Sequence, residues 1–488
     1  MTEKKTFEGL PPYTGGRKDE TVYDAGRGLY EEPADGGIGR LPMLWDVPYL
    51  EQRMAPYALY DGFSIEKIRE DESGAAYRLT DGPRSYIFEK KGEDGILTPD
   101  ENNPMPRENP VLVHTVRETD EAQAEAYIES LISEGWTAKP DGKGVCFDKD
   151  GRHLYAYYLP RTRVFRVVED DISEPLMPSP LPEEPGKVQL IQFSLKYGRM
   201  VHCVSADCGM LYLMILPDKS VFFVDGGEKE QATDAAIQEI MRILRLYTGT
   251  PEGEKIRIAA WFCTHAHDDH MDGFMKILRL HHDEIDLQRV IFNFPGLWRF
   301  PWVNQRHILC HRIAEYFPDA AYTKIHTGQS FTLAGVTFDC LLTHEDSLNS
   351  PEGRETGDFN ESSTILRARF DGTQFLFLGD IRGVAAKALM ENYPREELMG
   401  SGIQVAHHMI NLLPDLYKYL APSVALAPCT KEWAHPENPK YTALTDAMDE
   451  KDIHFASEET LVFEAEDGRL EITERIPRVG GEYDGSGV

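Results

Sequence analysis

Ten residues, Thr264 to Gly273 with the sequence THAHDDHMDG, do most to limit what this chain can fold into. They follow a run in which Ile256, Ile258, Ala260 and Phe262 alternate, as in a strand with one buried face. His265, His267, Asp269 and His270 are therefore expected on a loop at the tip of a strand. Imidazole and carboxylate are donors for borderline divalent cations, above all Zn²⁺. Their spacing lets His265 and His267 face one ion while Asp269 and His270 reach a second, so one loop can serve two metals.

Two further carboxylates end apolar runs. Asp225 and the pair Gly226-Gly227 close VFFV, and Asp380 closes FLFLG. Either alone reads equally as a turn or cap residue.

The rest of the chain divides by pattern. Residues 1–110 mix Pro, Gly and charge and read as a loop-rich N-terminal region. Within 111–170, Ala124, Tyr127, Ile128 and Leu131 share one helical face ahead of Gly135, and the strand-like runs HLYAYYL and RVFRVV follow a turn at Asp148 to Gly151. This segment reads as a small α+β accessory domain. Five prolines among acidic residues mark 171–188 as an extended linker. Beyond it, short apolar strands alternate with amphipathic helices, such as the one carrying Ile237, Ile240, Met241 and Leu244, and Asp371-Gly372 fits a tight hairpin. Residues 189–475 thus form one mixed α/β (α+β) unit of layered sheets, with 476–488 as a flexible tail.

The order of these features resembles the metallo-β-lactamase superfamily: a strand with Asp-Gly-Gly, then H-x-H-x-D-H, a strand-end Gly-Asp, and the His407-His408 pair of VAHH. From Asn360 and Ser363 through FLFLGD and VAHH to Trp433-Ala434-His435-Pro436, it is similar to the hydrolase domain of bacterial DNA-uptake proteins and to phosphorylcholine esterases. The resemblance implies an αββα sandwich beside the smaller N-terminal domain, with two metals at one edge. His265 and His267 would bind the first metal. Asp269, which also counts as catalytic, and His270 would bind the second, and Asp380 would bridge them. Asp225 would orient a ligating histidine, its plain alternative being a turn residue. His408 is assigned to the second metal and His407 to the substrate, with the reverse left open. His344 is the choice for the third ligand of the first metal, against an exposed loop histidine. His435 either donates a proton or binds an oxyanion, or is structural. Asn360 and Ser363 read as loop-fixing hydrogen bonders. The chain departs from the DNA-uptake branch in following His408 with Met409-Ile410 where that branch has glycine, so the close backbone approach glycine permits is expected to be missing.

The implied reaction is metal-assisted hydrolysis, with two Zn²⁺ per chain (or Mn²⁺ or Fe²⁺) supplying a hydroxide from a bridging water at neutral pH. His267, where a redox di-iron relative would carry Glu, favours hydrolysis. A formal net charge of −31 in 488 residues repels phosphate polymers and anionic lipid, so nucleic acid is disfavoured as a partner. A small phosphodiester or phosphorylated molecule is the leading substrate class, with carboxylic ester, lactone or amide hydrolysis and a non-catalytic metal-binding interaction protein as alternatives. The aromatic segment Leu297 to Trp302, with Trp433, either walls the pocket or packs ordinarily. Seven scattered cysteines without C-x-x-C spacing read as buried reduced thiols. No secretory h-region or apolar span is present, so a cytoplasmic protein without a membrane partner is expected, its oligomeric state open.

Overall fold

In a computed structural model, the described residues are 10–18, 22–25, 64–71, 74–81, 84–91, 97–99, 110–169, 178–194, 210–228, 231–295, 316–350, 352–353, 356, 358–431, 434–456 and 459–477. They fall into two compact units, one within 1–23, 112–294 and 320–488, the other within 24–111 and 295–319.

Two sheets in the first unit form the sandwich. In spatial order, one contains Ala321–Lys324, Arg289–Phe292, Ile256–Phe262, Val221–Asp225, Leu211–Ile215, Gln189–Gln192, Glu459–Glu466 and Arg469–Pro477, with Ile285–Leu287 also paired to Ile256–Phe262. The other runs Ser330–Leu333, Val336–Leu342, Ile365–Phe370, Thr373–Phe377, Gly402–Gln404, Val424–Ala427 and Ile453–Phe455. Each is antiparallel on one side and parallel on the other. The near-continuous burial of VFFVD and VALA is what strands covered on both faces require.

Between the sheets lies an aromatic core. Phe222 stacks on Phe338 with ring centroids 4.1 Å apart, and Tyr212 meets Phe377 edge-on at 6.1 Å. Helices cover the outer faces. Asp234–Thr248 starts where the Thr233 hydroxyl accepts from the Ala236 N–H, ends at Gly249 with φ +71°, and buries Ile237, Ile240, Met241 and Leu244. Asp268–His281 drives Phe274 against Phe223 and Trp261. Gly383–Asn392, Pro414–Leu420 and Pro439–Thr445 bury Leu389, Tyr417 and Leu444 with Leu376 and Ile403 of the second sheet.

The parallel runs decide where function can sit. Val221–Asp225, Ile256–Phe262 and Arg289–Phe292 all point one way, ending at Asp225, Thr264-His265 and Asn293. Thr373–Phe377 leads to Gly379-Asp380, and its parallel neighbour Gly402–Gln404 to His407-His408. The histidines and carboxylates of the sequence motifs thus fall at strand ends.

Residues 112–169 form a further sheet, with Pro110–Arg117, Val164–Glu169, Arg152–Leu159, Gly144–Lys149 and Thr137–Asp141 in that order. The helix Glu121–Ser133 packs Ala124, Tyr127 and Leu131 on it, and Gly135 has φ +90°. Asp150-Gly151 turns the hairpin with φ +51° and +76°. This sheet does not stand apart from the sandwich: Arg166 Nε donates to Asp346 Oδ1 at 2.7 Å, Nη1 to Thr115 Oγ1 at 2.6 Å, and the Tyr157 hydroxyl lies 3.3 Å from both Asp346 oxygens, all buried. Of the Pro-rich segment, residues 178–188 form no helix or strand and are tied by Ser179 N–H to Thr332 O and Gly186 N–H to Pro217 O. The second unit holds an antiparallel sheet of Ser64–Asp71, Gly74–Asp81, Arg84–Lys91 and Leu97–Pro99, where the sequence reading expected loops. Ser64–Asp71 is exposed over most of its described length, so it lacks the apolar alternation that marks a strand. No helix among the described residues is long and apolar enough to cross a membrane.

Removing Asp346 leaves the buried Arg166 guanidinium without its counter-charge, which costs about 3–5 kcal/mol. The unfolding midpoint of Asp346→Ala in urea, followed by circular dichroism, should fall accordingly, whereas Glu70→Ala, which breaks an exposed pair with Lys67, should shift it by less than ~1 kcal/mol.

Candidate metal centre

The strand Ile256–Phe262 delivers His265, and His267 caps the helix whose first turn holds Asp269 and His270. That helix comes unusually close to the Asp-Gly-Gly turn: a Cβ on Gly226 would lie 2.3 Å from Phe274 Cβ, and one on Gly273 would lie 2.3 Å from Gly226 O. Only glycines permit this approach, which Gly273 N–H seals by donating to Gly227 O at 2.8 Å. Asp225, at φ +54°, turns its carboxylate inward. Its Oδ1 accepts from Thr264 N–H (2.8 Å), and its Oδ2 accepts from Thr264 Oγ1 (2.9 Å) and faces His270 Nδ1 (2.7 Å).

Two donor groups result. One atom each from Asp269, His270, Asp380 and His408 lie within 4.8 Å of one another, as do atoms from His265, His267 and Asp380. His270 Nε2 and His408 Nε2 are 3.2 Å from Asp380 Oδ2 and Asp269 Oδ2, respectively, and His265 Nε2 is 2.9 Å from His267 Nδ1. Donors around a tetrahedral ion with bonds of ~2.0–2.1 Å stand roughly 3.3 Å apart. His270 Nε2 and Asp380 Oδ1 are fully buried and make no hydrogen bond. Nitrogen and oxygen donors converging at this spacing fit divalent cations once protons are lost from the imidazoles.

His408 Nδ1 donates to Pro428 O at 3.0 Å, which leaves Nε2 as the donor atom. His407 belongs to neither group, although its Nε2 stands 3.6 Å from Asp380 Oδ2. His344 falls in neither group: it is buried, and its Nε2 faces Asn293 Oδ1 at 2.9 Å. The Asn293 amide is in turn held by Ile325 O and by Glu345, which also pairs with His326 at 2.7 Å. Chain order alone did not reveal this network. His435 is exposed in the turn before Pro439–Thr445 and takes part in neither group. Ser363 Oγ accepts from the Asp380 N–H at 3.0 Å, and Asn360 donates to Asp358. Leu297 to Trp302 and Trp433 lie outside the described residues, as do Cys203, Cys208 and Cys310, while Cys146, Cys263, Cys340 and Cys429 are buried.

The charges balance by opposition. Burial disfavours ionised Asp380, but His270, His407 and His408 outweigh it and hold its carboxyl well below the usual range. Burial likewise works against protonated His270, yet Asp380, Asp225 and Asp269 push its pKa well above the ordinary value. His265 is held well below by burial, then by His270 and His267.

Several residues that position the donors went unread in the sequence. Gln404 Oε1 accepts from the N–H groups of Leu378 (2.8 Å) and Gly379 (2.7 Å), and its Nε2 donates to Gly379 O (3.0 Å) and Val405 O (2.7 Å). It fastens the Asp380 turn to the VAHH segment. A glutamine within the apolar run GIQVA was the available signal. Phe359 packs its ring 4.9 Å from that of His267. Glu361 accepts from Arg382, Val384 and Ala385 N–H and so caps the helix that follows Asp380.

The chain matches no protein-family model and no curated protein. Among solved structures it is similar to the metallo-β-lactamase fold protein YhfI from Bacillus subtilis, at 10% identity over 59% of this chain and 100% of that one with TM-score 0.36. It is similar to Zn(2+)-bound PqqB from Methylobacterium extorquens at 10% identity (58% and 99% covered, TM-score 0.36). It is also similar to unliganded yeast PDE1 at 12% identity (55% and 98% covered, TM-score 0.35). Two facing mixed sheets, helices outside and the H-x-H-x-D-H loop at the strand ends make this chain a metallo-β-lactamase-like αββα sandwich.

Two outcomes follow from this geometry. Gln404→Leu keeps the volume but strands two buried N–H groups and should cost about 2–6 kcal/mol in chemical denaturation. Because His270 stays protonated above the usual imidazole pH, a cation binding through Nε2 must expel that proton. Zinc titrated calorimetrically in buffers of different ionisation enthalpy should release about one proton near neutral pH, with affinity rising as pH rises; His270→Ala should abolish that release.

Proposed function

We propose that this protein is a dinuclear metal-dependent hydrolase acting on a small phosphodiester or phosphorylated molecule. The observation that supports this most is the sharing of Asp380 by both donor groups. His265, His267 and Asp380 would hold one divalent cation, and Asp269, His270, His408 and Asp380 the other, with Zn²⁺ favoured by the donor set and Mn²⁺ or Fe²⁺ compatible with it. Bound there, the cations acidify water and draw charge from the scissile oxygen.

The protein's own groups do the remaining work. Asp225 and Pro428 O fix the outward nitrogens of His270 and His408, so each presents Nε2 to the centre. Asp269 and Asp380 stay ionised as the donors that gather the cations. His407 is the substrate-side residue: its ring is partly open to solvent, and its Nδ1 makes no hydrogen bond. Burial, offset in part by Asp380, lowers its pKa, so at neutral pH it is a neutral imidazole that accepts a hydrogen bond or proton. His435 is exposed and would act on the leaving group only where a bound substrate reaches it.

Carboxylic ester, lactone or amide hydrolysis would use the same donors. A substrate panel of bis(p-nitrophenyl) phosphate, a phosphorylcholine ester, a lactone and single-stranded DNA, run with zinc and with manganese, decides among them. Diester turnover should dominate. Asp380→Ala should lose bound metal at both positions and at least ~100-fold in kcat/KM, while Asp225→Asn should weaken metal binding about 10- to 100-fold. A metal-free, inert wild-type protein would leave only the interaction-protein reading.

A further inference from the structure

One turn near the donor groups joins an aromatic ring, a cation and the centre's own loops. Phe359 in this turn packs 4.9 Å from the His267 ring and 5.9 Å from that of His265. Immediately before it, Asp358 is oriented through Oδ1 by the Asn360 N–H (3.1 Å) and Nδ2 (3.0 Å), and its Oδ2 pairs with Arg382 Nη1. Arg382 follows Asp380 by two residues, and the same turn receives the His407 N–H at Gly379 O, 3.1 Å away.

The Arg382–Asp358 pair is poorly explained as a stabilising contact. Its side chains are 43% and 23% exposed, and such pairs contribute about 0–1 kcal/mol. Arg382 is the N-cap residue of the helix behind it, but its side chain makes no capping hydrogen bond, and the N–H groups there donate to Glu361. A guanidinium carries five N–H donors in a planar fork, and Asp358 engages one of its terminal nitrogens. The remaining donors are those a two-oxygen anion accepts in pairs.

Resting on the hydrolase reading above, we propose that Arg382 forms the substrate-side wall of the centre and selects a phosphodiester monoanion. Arg382 takes a non-bridging oxygen of the phosphoryl group, while the buried Phe359 backs the His267 ring. Asp358 holds the guanidinium in place while the site waits for its ligand. In the reaction the oxygen of a water molecule bonds to phosphorus as one P–O ester bond breaks. The departing alkoxide takes up a proton, giving an alcohol and a phosphomonoester, with no oxidant or second substrate. A neutral ester or lactone has no oxygen anion for Arg382, so this wall separates the diester from the other hydrolase substrates.

The test compares bis(p-nitrophenyl) phosphate, a monoanion, with diethyl p-nitrophenyl phosphate, a neutral triester with the same leaving group, on zinc-loaded wild type, Arg382→Met and Arg382→Lys. Arg382→Met should lower kcat/KM for the diester about 10- to 100-fold, mainly through KM, and change the triester by less than about threefold. Arg382→Lys should recover part of the diester loss, since the charge remains and the fork is gone. Equal losses on both substrates, or an unchanged diester KM, would overturn the proposal. Calorimetric titration of the zinc-loaded proteins with inorganic phosphate gives a readout independent of turnover: its affinity should drop at least about tenfold in Arg382→Met at unchanged zinc content. If wild type cleaves neither ester, the hydrolase reading fails, and the phosphate titration still decides whether Arg382 binds anions.

Discussion

The structure turns on holding one carboxylate, Asp380, among three imidazoles in the dry end of a sandwich. Its Oδ2 stands 3.2 Å from His270, 3.6 Å from His407 and 3.7 Å from His408, with the side chain 1% exposed. A lone buried carboxylate is too costly to keep ionised, so its position depends on every opposite charge around it arriving from elsewhere in the sequence. Parallel strands solve this problem. Their ends meet at one edge, so groups more than a hundred residues apart converge without any long loop reaching across.

The backbone bears a cost at that edge. His407, His408 and Met409 have φ of +48°, +49° and +59°, three successive left-handed residues without a glycine among them. Each costs roughly 1–2 kcal/mol, which must be offset by contacts specific to this arrangement. The offsets are visible: the His407 N–H donates to Gly379 O, His408 Nδ1 to Pro428 O, and Met409 is completely buried. The sequence departure at Met409 therefore does not abolish the left-handed turn a glycine would supply. Methionine makes it at the expense of strain, and packing pays.

How much of this could be read beforehand depended on whether the signal was local. The H-x-H-x-D-H loop announces itself because four donors sit within six residues, and the sandwich strands because VFFV, FLFLG and VALA are apolar throughout. Asp371-Gly372 is a hairpin, as its dipeptide implies, with φ +46° and +75°. His344 shows the opposite case. Its chain position matched a missing ligand, but Asn293, fifty-one residues away, engages its ring, and nothing in the linear order marks Asn293 as its partner. Gln404 was silent for a similar reason: its four hydrogen bonds go to backbone groups, whose need for partners arises only once Thr373–Phe377 and Gly402–Gln404 are side by side. The strand Ser64–Asp71 escaped detection because exposure removed the periodicity that reveals a strand.

Charge enters at two ranges, and they pull in opposite directions. A net charge of −31 repels an approaching polyanion along its whole length, and that repulsion is felt within about 8 Å of the surface at physiological ionic strength. A long nucleic acid must bring many phosphates through that layer. A small diester brings one negative charge. Under the proposed function it would cross the same layer once and meet Arg382 and then a centre whose donors call for cations. On that proposal, the net negative charge and the local cation together favour a substrate small enough for its contacts to outweigh the field of the whole molecule.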